Sequence, residues 1–450
     1  GNSTHLPYPS GLEVGASFYT NKNSRVPFTL LVLIAAFFII APLSISTVPF
    51  VFAMKYARYG ILALVGLVTI QSFPRLGKLS KSWVLLGAVY ALSSLWSQST
   101  VNAIGYKSMF VSMILGGICV GNTATNLSGV MALAKSVTSA GLILYVSTAL
   151  AIQEGIAEPI LWFNDRMSVL GLNSNFVGIF SSSYFVSAVA LSFFSQERKW
   201  KLIGFTTSIL FSTGVIYSGS RLALLMACTA TFVFFLTKHE RYRKALLYVS
   251  ALLILVVSVA LLLSPQAGAS PSGVVYEASS EGGSGFRALD ELTRDTRSSH
   301  WKRAISLWME NPIFGVGWSE YRGRWTLHHS AYLQVLVESG VLGAVVWAWV
   351  LWCCFTQCRY VYLNRRLLDD WEITTAELGM AVIGVCLIHA FGESALLAAT
   401  MPLAVALGVA TQLLDESASN IAQIRSAYHG LEHEASDEPR WDDTVADQVD

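Results

Sequence analysis

The sequence predicts an all-α, polytopic membrane protein with about twelve transmembrane helices and one large outer loop that contains a short amphipathic helix. Composition is the first ground for this prediction, because 53% of the 450 residues are hydrophobic and only 13% are charged. The second is the length of the apolar runs, many of which reach the roughly 20 residues that a helix needs to cross a bilayer. The third is the clustering of basic residues in short loops between the runs.

The apolar runs give the boundaries of the predicted spans. They cover residues 26–46, 57–73, 82–97, 104–121, 131–152, 174–194, 202–218, 221–237, 245–263, 331–356, 375–391 and 395–414. The first nine spans lie within 26–263 and the last three within 331–414, on either side of the large loop 264–330. Residues 1–25 precede the first span, and residues 415–450 form an acidic tail with few apolar residues, which predicts disorder.

Basic residues set the predicted orientation. They cluster near 75–81, 198–201, 238–244 and 359–366, and these four loops fall on one side if the helices alternate. The positive-inside rule makes that side cytoplasmic, so both termini are predicted to be cytoplasmic and the large loop to lie outside. The formal net charge is only +1, and a chain without a concentrated basic face is not expected to bind nucleic acid.

The second half of the large loop contains RSSHWKRAISLWMENP, which predicts an amphipathic helix. Trp301, Ala304, Ile305 and Trp308 recur at i, i+3, i+4 and i+7, which places them on one helix face, and Pro312 helps to end the helix. Such a helix either lies along the membrane–water interface or caps the helical bundle.

Two arginines at the outer ends of helices are candidate anion-binding residues. Arg297 lies one turn before Trp301 on the same helix face, where it presents its guanidinium to a phosphate or extends to the membrane surface. Arg221 follows a Ser/Gly turn and opens the eighth span. A charge without a partner is costly near lipid, so Arg221 is expected to bind an anion, to form a structural salt bridge or to extend to the lipid headgroups.

The outer loop 153–173 and the span that follows it supply two more candidates, Arg166 and Asn175. Arg166 is a further possible contact for an anionic substrate. Asp165 and Glu158 are alternative partners for the same guanidinium, because both lie in the same loop.

Two adjacent histidines precede the tenth span in HHSAYLQVLVESGVLG. His329 lies at the helix N-terminus, where the helix dipole disfavours protonation, and a neutral imidazole is what a general base requires. His328 faces away from it towards the loop, and a hydrogen-bonded structural role is the alternative for His329. Together with the two arginines, His329 forms a pattern that suits a phosphate-linked substrate.

Three further polar residues lie in the last spans. His389 and Glu393 form an i, i+4 pair at the outer mouth, where they orient His329, contact an acceptor or satisfy one another. Glu338 lies nine residues beyond His329, about two and a half turns deeper in the helix. This depth favours a hydrogen bond between helices over a catalytic role.

These motifs resemble the signature of the bacterial O-antigen ligase family. RSSHWKRAISLWMENPIFGVGW followed by HSAYLQVLVESGVLG has the family's arginine before Trp, its Pro-x-x-Gly-x-Gly turn, its His-x-x-Tyr-Leu-Gln block and its Glu-x-Gly. GSRLALL resembles the family's Ser-Arg motif, and LGLNSNFVG its upstream Asn-containing segment. The likeness covers roughly residues 166 to 343, and Ser330 stands where the family has Asn after its histidine.

The resemblance implies a glycosyltransferase of the bacterial inner membrane whose large loop is periplasmic. Family members transfer undecaprenyl-diphosphate-linked glycans on the periplasmic face, to lipid A-core or to a growing polysaccharide. Alignment on Tyr-Leu-Gln gives His329, Arg221 and Arg297 as the catalytic candidates. The substrate-binding candidates are Arg166, Asn175, His328, Trp301, Tyr332, His389 and Glu393.

The chemistry of these residues agrees with that activity. Guanidinium groups bind phosphate in a bidentate manner and remain charged, so Arg221 and Arg297 would stabilise a diphosphate leaving group. His329 would take the proton from an acceptor hydroxyl, which gives direct displacement and inversion at the anomeric carbon. No cofactor is required. Metal independence is also predicted, because the first and second outer loops, near 46–57 and 97–104, contain no Asp or Glu.

Two other functions remain open at this stage. A polysaccharide polymerase of the same family differs from a ligase only in its acceptor, and the motifs favour the ligase. A multi-span transporter would also carry charges within its spans. Against a transporter, the charged candidates cluster at one face of the membrane and no inverted repeat is apparent.

Overall fold

A computed structural model describes residues 26–44, 51–69, 76–97, 100–155, 161–163, 166–170, 172, 174–238, 298–317, 330–392 and 403–436. Most of these residues are helical. The helices are α1 Phe28–Leu43, α2 Val51–Thr69, α3 Lys78–Leu92, α4 Thr100–Thr123, α5 Leu127–Gln153, α6 Ser174–Phe194, α7 Arg198–Tyr217, α8 Arg221–Lys238, α9 Ser298–Glu310, α10 Ala331–Asn364, α11 Asp370–Gly392 and α12 Leu403–Ser436.

Short elements connect some of these helices. The 3₁₀ helix Ser93–Trp96 follows α3, and the 3₁₀ helix Arg365–Leu367 follows α10. Strands β1 (Leu161–Phe163) and β2 (Arg166–Ser168) form an antiparallel hairpin between α5 and α6. The sequence predicts only a loop there, because three-residue strands are too short to show an alternating pattern.

The helical character of the described residues is confirmed, and three of their helices are suited to cross a membrane. Residues Leu127–Gln153, Asn175–Phe194 and Ala331–Leu367 are long and apolar enough to cross a membrane. Shorter apolar helices cover Phe28–Leu43, Tyr56–Thr69 and Leu222–Phe235. The total of twelve spans and the periplasmic loop stay predictions, since residues 1–25, the ninth predicted span 245–263 and residues 264–297 lie outside the described ranges.

Close packing of α4 against α12 forms the centre of the bundle. A Cβ atom on Gly117 would lie 2.2 Å from the Val405 carbonyl oxygen, and one on Gly408 would lie 2.4 Å from the Ile114 carbonyl oxygen. Small residues at such crossings let two membrane helices approach backbone to backbone. The side chains of α4 are therefore held in fixed positions relative to α12.

Asp415 of α12 joins three helices at one end of the bundle. Its carboxylate accepts hydrogen bonds from the backbone amides of Leu79 (3.2 Å) and Ser80 (2.8 Å) at the start of α3, and from Gln357 Nε2 of α10 (3.3 Å). An anion at a helix N-terminus is stabilised by the free amides and by the helix dipole. This contact brings together the chain near 75–81 and 359–366, so we name this end of the bundle the basic end.

The prediction that the chain is disordered from residue 415 onwards is wrong for residues 415–436. They continue α12, because their polar side chains bond to neighbouring helices. Asn420 Nδ2 donates to Glu372 Oε1 of α11 (2.8 Å), and Arg425 Nη2 donates to Asn364 Oδ1 of α10. Ile421 is fully buried. The acidic residues Asp437, Glu438, Asp442 and Asp443 lie outside the described residues.

Candidate functional site

The motifs singled out in the sequence lie at the end of the bundle opposite the basic end. We name it the motif end and define it by the start of α8 at Arg221 and the start of α10 at Ala331. Four motif segments lie next to the starts of helices here: the Ser-Arg segment, the Asn-containing segment, α9 with its turn, and the Tyr-Leu-Gln segment.

The predicted Ser/Gly turn before Arg221 is confirmed. Gly219 has a φ of 60°, a left-handed conformation that favours glycine. Ser218 Oγ accepts a hydrogen bond from the Ser220 amide at 3.2 Å, and Ser220 Oγ accepts one from the Ala223 amide at 3.4 Å. Ser220 thereby caps α8, and Arg221 becomes the first residue of that helix.

Helix α6 packs directly against this turn. A Cβ atom on Gly178 would lie 2.6 Å from Ser218 Oγ and 2.8 Å from Ser220 Cβ, so the absence of a side chain allows the contact. Asn175 is half-buried and lies one turn earlier in α6. The backbones that carry Asn175 and Arg221 are therefore neighbours at the motif end, while the side chain of Arg221 lies outside the described part of the structure.

The hairpin adds a third predicted residue to this region. Arg166 opens β2 and pairs with Phe163 of β1, and β2 contacts both α6 and α7. The Arg166 side chain is not among those described. Whether it contacts a substrate or an acidic neighbour is therefore not tested.

Helix α9 packs on α10, as the prediction of a bundle-capping helix requires. Ala304 and Leu307 of α9 are buried and form a cluster with Val337 of α10. Trp301 is half-buried, but Ile305 is exposed. The predicted apolar face is therefore wrong in one position. Leu307 takes the place of Ile305 on the buried face, because that side of α9 contacts α10.

The Pro-x-x-Gly-x-Gly turn after α9 binds to a break in α10. Gly340 has a φ of 63°, which interrupts the helix and frees backbone groups on both sides. The Val316 amide donates to the Val337 carbonyl at 2.8 Å, and the Gly317 amide donates to the Glu338 carbonyl at 3.1 Å. The turn and the Glu-x-Gly motif are thus two halves of one junction.

Glycines make this junction possible. A Cβ atom on Gly340 would lie 2.2 Å from the Ile313 carbonyl oxygen, and one on Gly315 would lie 2.5 Å from the Val337 carbonyl oxygen. Gly315 and Gly317 also have positive φ values of 73° and 71°. A side chain at any of these three positions would push the two backbone segments apart or strain the backbone.

A buried ion pair lies directly beneath the junction. Lys107 Nζ of α4 is 3.1 Å from Glu338 Oε2, and the two side chains are 0% and 4% exposed. Lys107 also donates to Ser93 Oγ and lies 4.4 Å from the centre of the Tyr90 ring. Gln334 Nε2 donates to Glu338 Oε1 and to the Tyr90 hydroxyl, both at 3.0 Å.

This network accounts for two polar residues of the predicted motifs, Gln334 and Glu338. The predicted contact between helices through Glu338 is confirmed, and Gln334 supports the same carboxylate. Sequence analysis does not identify the partner, Lys107, although a lysine inside the predicted span 104–121 is a signal of an intramembrane function.

The start of α10 agrees with the predicted start of the tenth span at residue 331. Ser330 is buried and its Oγ accepts a hydrogen bond from the Leu333 amide at 3.5 Å, which makes it the N-cap of α10. Serine and asparagine are both favoured at N-caps, so Ser330 supplies the capping oxygen that the resemblance places on Asn. His328 and His329 immediately precede this cap and lie outside the described residues.

Two predicted substrate-binding residues are engaged between α10 and α11. The Tyr332 hydroxyl donates to the Leu387 carbonyl at 3.3 Å, and its ring stands edge-on to Trp347 at 5.1 Å between centroids. His389 of α11 is fully buried. The i, i+4 pairing of His389 with Glu393 is not tested, because Glu393 lies outside the described residues, as does Arg297.

Among the described residues, no group of three or more His, Cys, Asp or Glu side chains is arranged to hold a metal ion. Much of the large outer loop lies outside these residues. Metal independence therefore stays a prediction.

A comparison with known protein families supports the resemblance. Residues 206–348, about a third of the chain, match the family described as O-antigen ligase. The predicted resemblance to the O-antigen ligase family is confirmed. This matched region contains α8, α9 and the start of α10. None of the curated proteins compared matches the chain.

Proposed function

We propose that the protein transfers an undecaprenyl-diphosphate-linked glycan to an acceptor sugar hydroxyl, and that the acceptor is lipid A-core. The reaction takes place at the motif end, on the periplasmic face of the bacterial inner membrane. The observation that carries the proposal is the match of residues 206–348 to the O-antigen ligase family, because this range contains all three catalytic candidates, Arg221, Arg297 and His329.

Arg221 and Arg297 stabilise the leaving group in this proposal. Negative charge grows on the diphosphate as the glycosyl–phosphate bond breaks, and a fixed guanidinium fork stabilises that charge best. Arg221 begins α8, and Arg297 immediately precedes α9. The turn before α8 packs closely against α6, and α9 packs on α10.

His329 acts as the general base. It takes the proton from the acceptor hydroxyl, the hydroxyl oxygen forms a bond to the anomeric carbon, and undecaprenyl diphosphate leaves from the opposite face with inversion. His329 directly precedes the Ser330 cap in the sequence, and the positive end of the α10 dipole favours a neutral imidazole there. No metal takes part, so EDTA should leave transfer by the purified protein unchanged. A loss of transfer that magnesium or manganese restores would overturn this metal-free mechanism.

Deletion of the gene in its own host tests the proposed acceptor. A ligase deletion leaves lipid A-core without its long glycan, and the lipid-linked polymer accumulates. A polymerase deletion leaves single repeat units on the lipid carrier or core, with long chains missing everywhere. Either the second pattern or unchanged lipopolysaccharide would contradict the ligase assignment.

Substitution of the arginines tests the diphosphate contact in the same host. Arg221→Ala and Arg297→Ala should each abolish complementation of the deletion, with the protein still inserted in the membrane. Lysine at either position should restore only part of it, because the charge remains but the bidentate geometry is lost. Normal complementation by both alanine variants would rule out this role for the arginines.

A further inference from the structure

The buried pair Lys107–Glu338 has no part in the proposed chemistry, yet it lies at a structurally central position. Both side chains are almost completely buried. Ionisable residues within a membrane bundle are expensive, and they commonly mark a functional contact. The charge pair therefore requires an explanation of its own.

The pair connects the elements that lead to the catalytic candidates. Through its carboxylate, Glu338 contacts Lys107 of α4, and Lys107 in turn contacts Ser93 at the end of α3. Through its backbone carbonyl, Glu338 accepts the hydrogen bond from Gly317 in the turn after α9. One residue thus joins α4, α10 and the turn that carries α9.

The break at Gly340 makes residues 331–339 a separate helical segment. Glu338 lies near one end of this segment and the Ser330 cap lies at the other, about 12 Å away at 1.5 Å per residue. The contact of Glu338 with Lys107 of α4 therefore fixes the orientation of the whole segment. This orientation sets the position of the Ser330 cap, which directly follows His329 in the sequence.

We propose that Lys107 and Glu338 are positioning residues, which hold the 331–339 segment and the turn 312–317 in one arrangement and thereby fix the positions of Ser330 and Ser298, the sequence neighbours of His329 and Arg297. This inference rests on the proposed function, because it takes those two residues as base and leaving-group contact. Neither Lys107 nor Glu338 touches the substrate in this account.

A purely stabilising role is the alternative. Replacing a buried ion pair by uncharged residues of similar size is often neutral for stability, whereas removing only one partner is strongly destabilising. The double variant Lys107→Met/Glu338→Gln is therefore the informative one. It removes both charges, and the amide at position 338 keeps an oxygen for Gln334.

The double variant is compared with wild type as purified protein in lipid nanodiscs. We expect a thermal midpoint within a few degrees of wild type, an unchanged KM for the lipid-linked donor, and a kcat lower by about tenfold to a hundredfold, since small displacements of reacting groups have effects of that size. Amide hydrogen exchange should rise in residues 312–317 and 331–339. The matched control is Lys135→Met/Glu197→Gln, an exposed pair at 2.5 Å, which should change neither kcat nor this exchange.

Wild-type kcat in the double variant, or unchanged exchange at the junction, would overturn the positioning role. A wild-type protein that transfers no glycan would instead overturn the proposed function. Hydrogen exchange would then still decide whether the pair holds the junction together.

Discussion

The two parts of α10, on either side of Gly340, differ in which of their side chains are buried. In the first part, the polar side chains of Gln334, Glu338 and Ser339 are buried against other helices. In the second part, residues 341–364, large apolar side chains such as Trp352 point outward and are exposed. The same helix therefore begins as an internal support for the motif end and continues as a span with one exposed apolar face.

This difference shows where substitutions should matter. Contact with lipid requires only that a face be apolar, so many residues satisfy it. Contacts between buried polar groups require particular atoms at hydrogen-bonding distance. Changes in the first part of α10 and its partners should therefore impair stability and transfer, and changes at the exposed apolar positions of the second part should not.

The largest effect is expected for Lys107→Met alone, which leaves the buried Glu338 carboxylate without its cation. Removing one partner of a buried ion pair destabilises a protein by about 3–5 kcal/mol. Thermal unfolding of the purified variant should show this loss. The double variant Lys107→Met/Glu338→Gln should recover most of it, and recovery of none would mean that the two charges do not compensate each other.

A smaller loss is expected when Gly340→Ala fills the break in α10. The positive φ and the 2.2 Å approach to the Ile313 carbonyl oxygen both penalise the new methyl group, by about 1–3 kcal/mol for the backbone strain. Gly384→Ala in α11 is the matched control, because no atom lies within 4 Å of a Cβ there. Equal thermal midpoints for the two variants would refute the junction as described.

Removing the cap of α10 should have a moderate effect. Ser330→Ala loses the oxygen that bonds the Leu333 amide, which typically costs about 1 kcal/mol. Ser330→Asn keeps a capping oxygen and should retain stability and transfer. The account would be contradicted by an asparagine variant as impaired as the alanine variant, measured by thermal unfolding and glycan transfer.

Little change is expected in the second part of α10. Trp352→Leu keeps an apolar, outward-facing side chain, so membrane insertion and kcat should stay at wild-type levels. A clear loss of kcat in this variant, with normal insertion, would show that the division of α10 at Gly340 does not separate function from lipid contact.

A slight effect is expected for the pair between Lys135 of α5 and Glu197, the N-cap of α7. The hydrogen bond from Lys135 lowers the pKa of Glu197, so the stabilising contact is present above the ordinary carboxyl pKa and is lost as the pH falls through the lowered one. Thermal midpoints of wild type and Glu197→Gln should differ slightly at pH 7 and converge towards pH 3. A difference that grows in acid would contradict this.

Local features of the motif end were predictable from the sequence. The start of α10 at Ala331, the Ser/Gly turn before Arg221 and the amphipathic helix α9 all follow from residue patterns within a few positions. Such patterns record which residues begin, end or bury one side of a helix.

Contacts between distant parts of the chain were not predictable in this way. The partnership of Lys107 with Glu338 joins α4 to α10, and nothing local to either residue names the other. The helical course of residues 415–436 depends likewise on contacts with α10 and α11, which an acidic composition does not reveal. The exposure of Ile305 also depends on which side of α9 contacts α10, because Ala304 and Leu307 pack on Val337.

The central claim is that glycan transfer takes place at the start of α10, with His329 as the base. The most direct measurement is release of undecaprenyl diphosphate by the purified protein from a lipid-linked glycan and a lipid A-core acceptor, compared between His329→Ala and His328→Ala. The account predicts a loss of roughly 10²–10⁴-fold for His329→Ala and near wild-type release for His328→Ala. Retained activity in His329→Ala would contradict it, and a loss confined to His328→Ala would move the base to the neighbouring histidine.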